Sequence, residues 1–123
     1  MIQQKNKSKN EISFYKIGHG EPVILIHGLG LRSESWINQI KLLKKNYTVF
    51  AIDLPGHGKS EVLTKKNINL KYYCNEIIKF IKINKIHKPI LVGHSLGALI
   101  TIEIAGIAPN ILKRGVAISP IYK

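Results

Sequence analysis

Gly93-His94-Ser95-Leu96-Gly97 sets a serine between two glycines, each two positions away. That spacing suits a nucleophilic hydroxyl. The serine must sit on a strained turn so that its hydroxyl stands clear of the chain around it. The neighbouring backbone then passes too close for a Cβ on either flank, which calls for small residues there. If a helix opens directly after the turn, its first N–H groups point at the same spot, and the Leu96 N–H becomes a donor for an oxyanion. A second segment, His27-Gly28-Leu29-Gly30, has glycines that let a loop turn and bring the Leu29 N–H towards that position. Leu29 would act through its backbone, so its side chain is not diagnostic. Together these residues are a candidate nucleophile and two oxyanion donors, parts that serve acyl chemistry.

A base is the part that is hard to find. Without a histidine to take its proton, a serine hydroxyl is a poor nucleophile at neutral pH. The five histidines, His19, His27, His57, His87 and His94, all precede Ser95. His94 adjoins the serine, and its side chain is expected to point elsewhere on the turn. Glu103 is the single acid after Ser95. It lies two turns into the following helix, too far along to orient a base beside the serine. Asp53 is expected to tie the loop that follows its strand. There is no His-x3-His pair and no cysteine cluster, so neither a metal site nor a cofactor is expected.

These segments need elements to position them. Pro22 to Ile26, Thr48 to Ile52, Pro89 to Val92 and Gly115 to Ser119 are short apolar runs, the pattern of strands buried on both faces. Glu11 to Ile17 reads as a further strand that turns at Gly18-His19-Gly20. Trp36, Ile40 and Leu43 fall at i, i+4, i+7 and predict a short amphipathic helix, with Ser33 and Ser35 as candidate caps. After a polar loop from Lys59 to Asn69, the stripe Leu70, Tyr73, Cys74, Ile77, Ile78 and Ile81 predicts a longer helix, with Cys74 as a small buried side chain. Leu96 to Ala108 is apolar almost all round, as expected of a helix packed at the centre of a sheet. Strand and helix alternate, which predicts an α/β fold with parallel strands joined by right-handed crossovers. In such sheets the active crevice lies beyond the carboxyl ends of the strands, so the Leu29 loop and Ser95 should share it.

Ile24-Leu25-Ile26-His27-Gly28-Leu29-Gly30, Asp53-Leu54-Pro55-Gly56-His57-Gly58-Lys59-Ser60 and Gly93-His94-Ser95-Leu96-Gly97-Ala98 resemble three successive signatures of the α/β-hydrolase fold family. They come in the family's order and span Ile12 to Ser119. The resemblance implies a three-layer α/β sandwich with a mostly parallel sheet, of which this chain holds the N-terminal half. Residues 1–10 would be a polar tail and 11–123 a truncated hydrolase domain. Ser95 would be the nucleophile, and the Leu29 and Leu96 N–H groups the oxyanion hole, acting on an ester, thioester or related acyl bond. A serine here argues against haloalkane dehalogenases and epoxide hydrolases, which carry Asp at this elbow. His27 and His57 sit where the family uses histidines for local hydrogen bonds. The family's triad runs Ser, then acid, then His along the chain. This sequence has no such acid or histidine after Ser95, so the chain is expected to be inactive alone. Three readings stay open: the N-terminal portion of a serine hydrolase, one half of a split hydrolase completed by a second chain, or a non-catalytic binding module.

Composition bounds the rest. With 123 residues, 45% hydrophobic and 21% charged, the chain suits one globular domain. The lone Cys74 closes no internal disulfide. The formal charge of +12 comes from 17 Lys and 2 Arg against 7 acids, alongside 22 Ile and 9 Asn. Lys, Ile and Asn rising together fit A+T-rich codons, whereas a phosphate-reading surface favours Arg with interleaved aromatics. No specific nucleic acid is therefore expected. The N-terminus lacks an apolar signal region and no window approaches a membrane span, so a cytoplasmic protein with no membrane partner is expected. The expected partners are a small acyl substrate once the site is completed, and a complementing chain or a second copy of this one.

Overall fold

The apolar runs form strands, and their pairing places the two chemical segments side by side. The computed structural model describes residues 4–62 and 68–120, so residues 63–67 of the polar loop and 1–3 of the expected tail lie outside the described residues. One six-stranded sheet contains β1 (Asn6–Lys7), β2 (Ser13–Gly18), β3 (Glu21–Ile26), β4 (Tyr47–Ile52), β5 (Ile90–His94) and β6 (Arg114–Ile118). Their spatial order is β1-β2-β4-β3-β5-β6. β3, β4, β5 and β6 run parallel, while β2 pairs antiparallel with β4 and β1 with β2. From β3 the chain steps to β4 on one side and later crosses to β5 on the other. The strand order therefore reverses at β3, where an open α/β sheet has its crevice. Ile26 pairs with Gly93, so the loops after β3 and β5 leave the sheet at the same level.

Side chains alternate across each strand and so divide the core in two. Val23, Leu25, Val49 and Ala51 pack with Trp36 and with Ile40 of α1 (Ile37–Leu43) on one face. Ile24, Ile26, Phe50 and Ile52 pack on the other, against α2 (Leu70–Ile83) and α3 (Leu96–Ile107). The result is a three-layer α/β sandwich. The α2 stripe is buried at Tyr73, Cys74, Ile77, Phe80 and Ile81. Asn69 caps this helix by accepting the Tyr72 N–H at 2.9 Å, an interaction that contributes about 1 kcal/mol. Phe80 meets Phe14 edge-on at 5.0 Å between ring centroids and is fully buried, a contribution of about 2–3 kcal/mol.

The structure refines the sequence reading in three places. Residues 4–10 are not a tail: β1 pairs with β2, and Ser8 and Asn10 are buried. The Asn10 amide N–H donates to the Glu76 carbonyl at 2.9 Å, while its Oδ1 is buried without a hydrogen-bond partner among the described residues. The apolar run at Gly115–Ser119, whose composition reads as a strand buried on both faces, forms the edge strand β6 and is exposed at all five residues from Arg114 to Ile118. Nothing among the described residues pairs with its outer side. For the same reason α3 is not covered all round. Ala98, Ile100, Thr101 and Ile104 are buried, whereas Ile102 and Ile107 remain 44% and 58% exposed.

Candidate functional site

Ser95 sits between β5 and α3 with φ +60° and ψ −115°, a conformation that non-glycine residues adopt only under strain. The flanking glycines make the turn sterically feasible. A Cβ on Gly93 would lie 2.0 Å from the Gly97 carbonyl oxygen, and one on Gly97 would lie 2.1 Å from that of Ile26. The second contact also packs the helix start directly against the end of β3. The Ser95 N–H donates to the Ile118 carbonyl at 3.0 Å, which ties the turn to β6. Its carbonyl accepts the Ala98 N–H at 3.0 Å and the Leu99 N–H at 3.2 Å. The Leu96 N–H, first in the helix, donates to no acceptor among the described residues. The helix dipole adds to it a partial positive charge at the same end.

The loop after β3 reaches the same place. Gly28 is buried, and a Cβ there would lie 3.0 Å from the Ser95 Cβ. The Leu31 N–H donates to the Gly28 carbonyl at 3.1 Å, closing a turn that leaves Leu29 at its tip. The Leu29 side chain is 67% exposed, and its N–H donates to no acceptor among the described residues. The structure therefore sets the Gly28 end of the Leu29 loop against Ser95, and neither the Leu29 nor the Leu96 N–H is spent on an acceptor among the described residues.

No histidine is hydrogen-bonded to the Ser95 hydroxyl among the described residues. The buried His27 accepts the Leu54 N–H through Nε2 at 2.9 Å, which leaves Nδ1 protonated and donating to the Gly28 carbonyl at 2.7 Å. Burial pushes its pKa down to about 4, so the ring is neutral. His57 donates from Nδ1 to the Pro55 carbonyl at 3.1 Å, its ring centroid 5.1 Å from that of His27. Both behave as local ties, as the family resemblance implies. His94 lines a cleft of about 280 Å³ with Leu31, Ser35, Trp36, Gln39 and Ile118, and Ser95 is not among the lining residues. Residue alternation explains this: Gly93 points into the helix contact, so His94 takes the other side. Glu103 lies towards α2, beside Leu70, Cys74 and Asn75. A larger cleft of about 480 Å³ lies at the opposite end of the sheet, around Glu21, Pro22 and Lys88, away from all of these groups.

Asp53 ties its loop, and it does more than the sequence indicates. Its fully buried carboxylate accepts the Ser33 N–H at 2.8 Å, the Lys59 N–H at 3.1 Å and the Lys5 ammonium at 2.7 Å. Burial alone would raise its pKa, but the ammonium and the two N–H groups outweigh burial and hold the carboxyl below its usual range. Lys5 also pairs with Glu34 at 2.8 Å, and Tyr15 donates to Glu34 at 2.7 Å. Burial and the adjacent Glu34 push the Tyr15 phenol up to about 12. Sequence reading missed Lys5, Tyr15 and Glu34, because no local pattern distinguishes one lysine in a lysine-rich segment.

Among the described residues no group of three His, Cys, Asp or Glu side chains is placed to hold a metal ion, and no helix is long and apolar enough to cross a membrane.

Comparison with known proteins gives this arrangement a family. Residues 21–122 match the family model described as alpha/beta hydrolase fold. Over 110 residues the chain is 36% identical to an (E)-2-((N-methylformamido)methylene)succinate hydrolase from Acinetobacter baylyi, covering 89% of this chain and 41% of that protein. A marine microorganism esterase superposes with a TM-score of 0.83 at 27% identity, over 89% of this chain and 41% of that one. An alpha/beta superfamily hydrolase from Oenococcus oeni superposes with a TM-score of 0.86 at 25% identity, over 97% and 45%. The chain thus spans about two-fifths of the length of the relatives it matches. With three signature loops at the carboxyl ends of β3, β4 and β5, and a family match over most of its residues, the chain belongs to the α/β-hydrolase fold family.

Proposed function

We propose that this chain carries the nucleophile and oxyanion-hole portion of a serine hydrolase that cleaves an ester, thioester or related acyl bond. The observation that supports the reading is the close approach of Gly28 to Ser95 at the strand-order reversal, with the Leu29 and Leu96 N–H groups unspent. In the reaction, the Ser95 oxygen attacks the acyl carbon, its proton passes to a base, and the carbonyl oxygen becomes an oxyanion held by the two N–H groups. The relatives named as a hydrolase and an esterase support acyl chemistry.

The chain does not carry its own base in this reading. His27 has both ring nitrogens engaged, no histidine (His94 included) is hydrogen-bonded to the Ser95 hydroxyl among the described residues, and none follows His94 in the sequence. Acid and histidine then come from polypeptide beyond these residues, whether covalently joined or on a second chain. The exposed β6 edge, with Val116 and Ile118 on it and Ile102 and Ile107 on the helix behind, is where further strands and helices would add. Without them only the binding and oxyanion contributions remain, roughly 10³–10⁴ over water in the protease cases where a triad member is removed.

An aryl boronic acid tests the nucleophile without needing turnover. The Ser95 oxygen adds to boron, the hydroxyl proton leaves to solvent, and the tetrahedral boronate places an oxygen in the proposed oxyanion position. A fluorinated phenylboronic acid, followed by fluorine NMR, is expected to bind the chain and not Ser95→Ala. Equal binding by both would overturn the assignment.

A further inference from the structure

We propose that Lys5 is a positioning residue that holds the Leu29 loop against Ser95, an inference that rests on the reading of the Leu29 N–H as an oxyanion donor. Lys5 lies outside the region that matches the family model, in a segment whose composition suggests a tail. Its side chain is nevertheless only 6% exposed. The ammonium sits 2.7 Å from Asp53 Oδ2 and 2.8 Å from Glu34 Oε2, and 5.3 Å from the centroid of the Tyr15 ring.

Each partner leads back to the loop. Asp53 Oδ1 accepts the Ser33 N–H, four residues after Leu29. Glu34, the next residue, accepts the Tyr15 hydroxyl as well as the Lys5 ammonium. The trailing end of the Leu29 loop is therefore held at two adjacent residues, and the leading end is held by the pairing of β3 and by His27. Only a cation makes this clamp workable. Asp53 is fully buried and Glu34 approaches the same ammonium, so without Lys5 two carboxylates would face one another with one of them desolvated. Breaking a buried pair by removing one partner strands the other charge. Asp53 would then take up a proton or swing towards water, and the Ser33 anchor would loosen. The family signature loops thus depend on a residue contributed from outside them.

Hydrogen–deuterium exchange on the full chain reads the clamp directly. Lys5→Met is expected to speed exchange of the peptide 27–36 by about tenfold or more and leave 77–92 unchanged, because the opening is local. Lys5→Arg keeps the charge and is expected to stay near wild type. Affinity for the fluorinated phenylboronic acid should follow the same pattern, falling about tenfold in Lys5→Met and recovering in Lys5→Arg. Wild-type exchange and binding in Lys5→Met would overturn the proposal. If Lys5→Met exchanges fast throughout, Glu34→Gln decides, since it weakens one anchor and leaves Asp53 paired. Faster exchange at 27–36 alone then upholds the clamp, and unchanged exchange overturns it. Equal boronate binding by wild type and Ser95→Ala would overturn the oxyanion reading instead, and the exchange data alone would still decide whether Lys5 holds the loop.

Discussion

His27 Nε2 accepts the backbone N–H of Leu54 at 2.9 Å, binding the end of β3 to the loop after β4. The ring's other nitrogen is engaged by the Gly28 carbonyl at 2.7 Å. A histidine one residue from the crevice is thereby committed to structure, with no free lone pair for a serine proton. Its neutral state follows from burial, which holds its pKa at about 4.

That depression makes stability depend on pH. The unfolded chain takes up a proton near pH 6.5, while folded His27 resists it until about pH 4. Stability from this group is complete above about 6.5 and falls as the pH drops towards 4, by about 3 kcal/mol in all. Asp53 and Glu34, both held low, lose their contributions only as the pH falls below their ordinary range near 4. Urea midpoints followed by Trp36 fluorescence, the single tryptophan, should therefore drop between pH 7 and pH 4.5. In His27→Gln the drop should largely vanish; an unchanged drop would assign the titration to another group.

Two glycines of α3 should respond in opposite directions to the same substitution. A Cβ at Gly97 would meet the Ile26 carbonyl oxygen at 2.1 Å, backbone that cannot yield without disturbing the central strand. Gly97→Ala is expected to destabilise by about 3 kcal/mol or more. Nothing lies within 4 Å of the corresponding position at Gly106, so Gly106→Ala should stabilise by about 0.5–1 kcal/mol through helix propensity. Urea midpoints of the two variants check both signs.

The strands and helices were legible in the sequence wherever burial imposed a period. β3, β4 and β5 lie on the apolar runs, and α2 buries the stripe from Tyr73 to Ile81. The elbow was legible because its two glycines are required by backbone contacts of 2.0 and 2.1 Å. The exposure of β6 is not carried by its own residues, since Gly-Val-Ala-Ile reads alike whether or not another strand covers it; it follows from the strand order, which leaves β6 at the sheet edge. The Lys5 clamp was not legible: its contacts to Glu34 and Asp53 span 29 and 48 residues, and ion pairs at that separation leave no local pattern. The direction of the His94 ring is also a tertiary outcome, set by how Gly93 packs against α3.

The β6 edge should drive self-association. Beyond Arg114 it is a short apolar strand with Val116 and Ile118 each 41% exposed and no partner on its outer side among the described residues. Such an edge is a template for pairing with another chain, and a charge placed on it opposes that pairing. Sedimentation velocity should show oligomers for the wild-type chain and a shift towards monomer for Val116→Lys. A wild-type chain that sediments as a monomer would contradict this.

Turnover of a small activated ester by the chain and by its Ser95→Ala variant, in matched preparations, tests most directly whether Ser95 lacks a base here. The two rates are expected to coincide, because both ring nitrogens of His27 are engaged and no histidine is hydrogen-bonded to the Ser95 hydroxyl among the described residues. A base at work would raise the wild-type rate by about 10²-fold or more over the variant, and a difference of that size would contradict the reading of this chain as a nucleophile without its base.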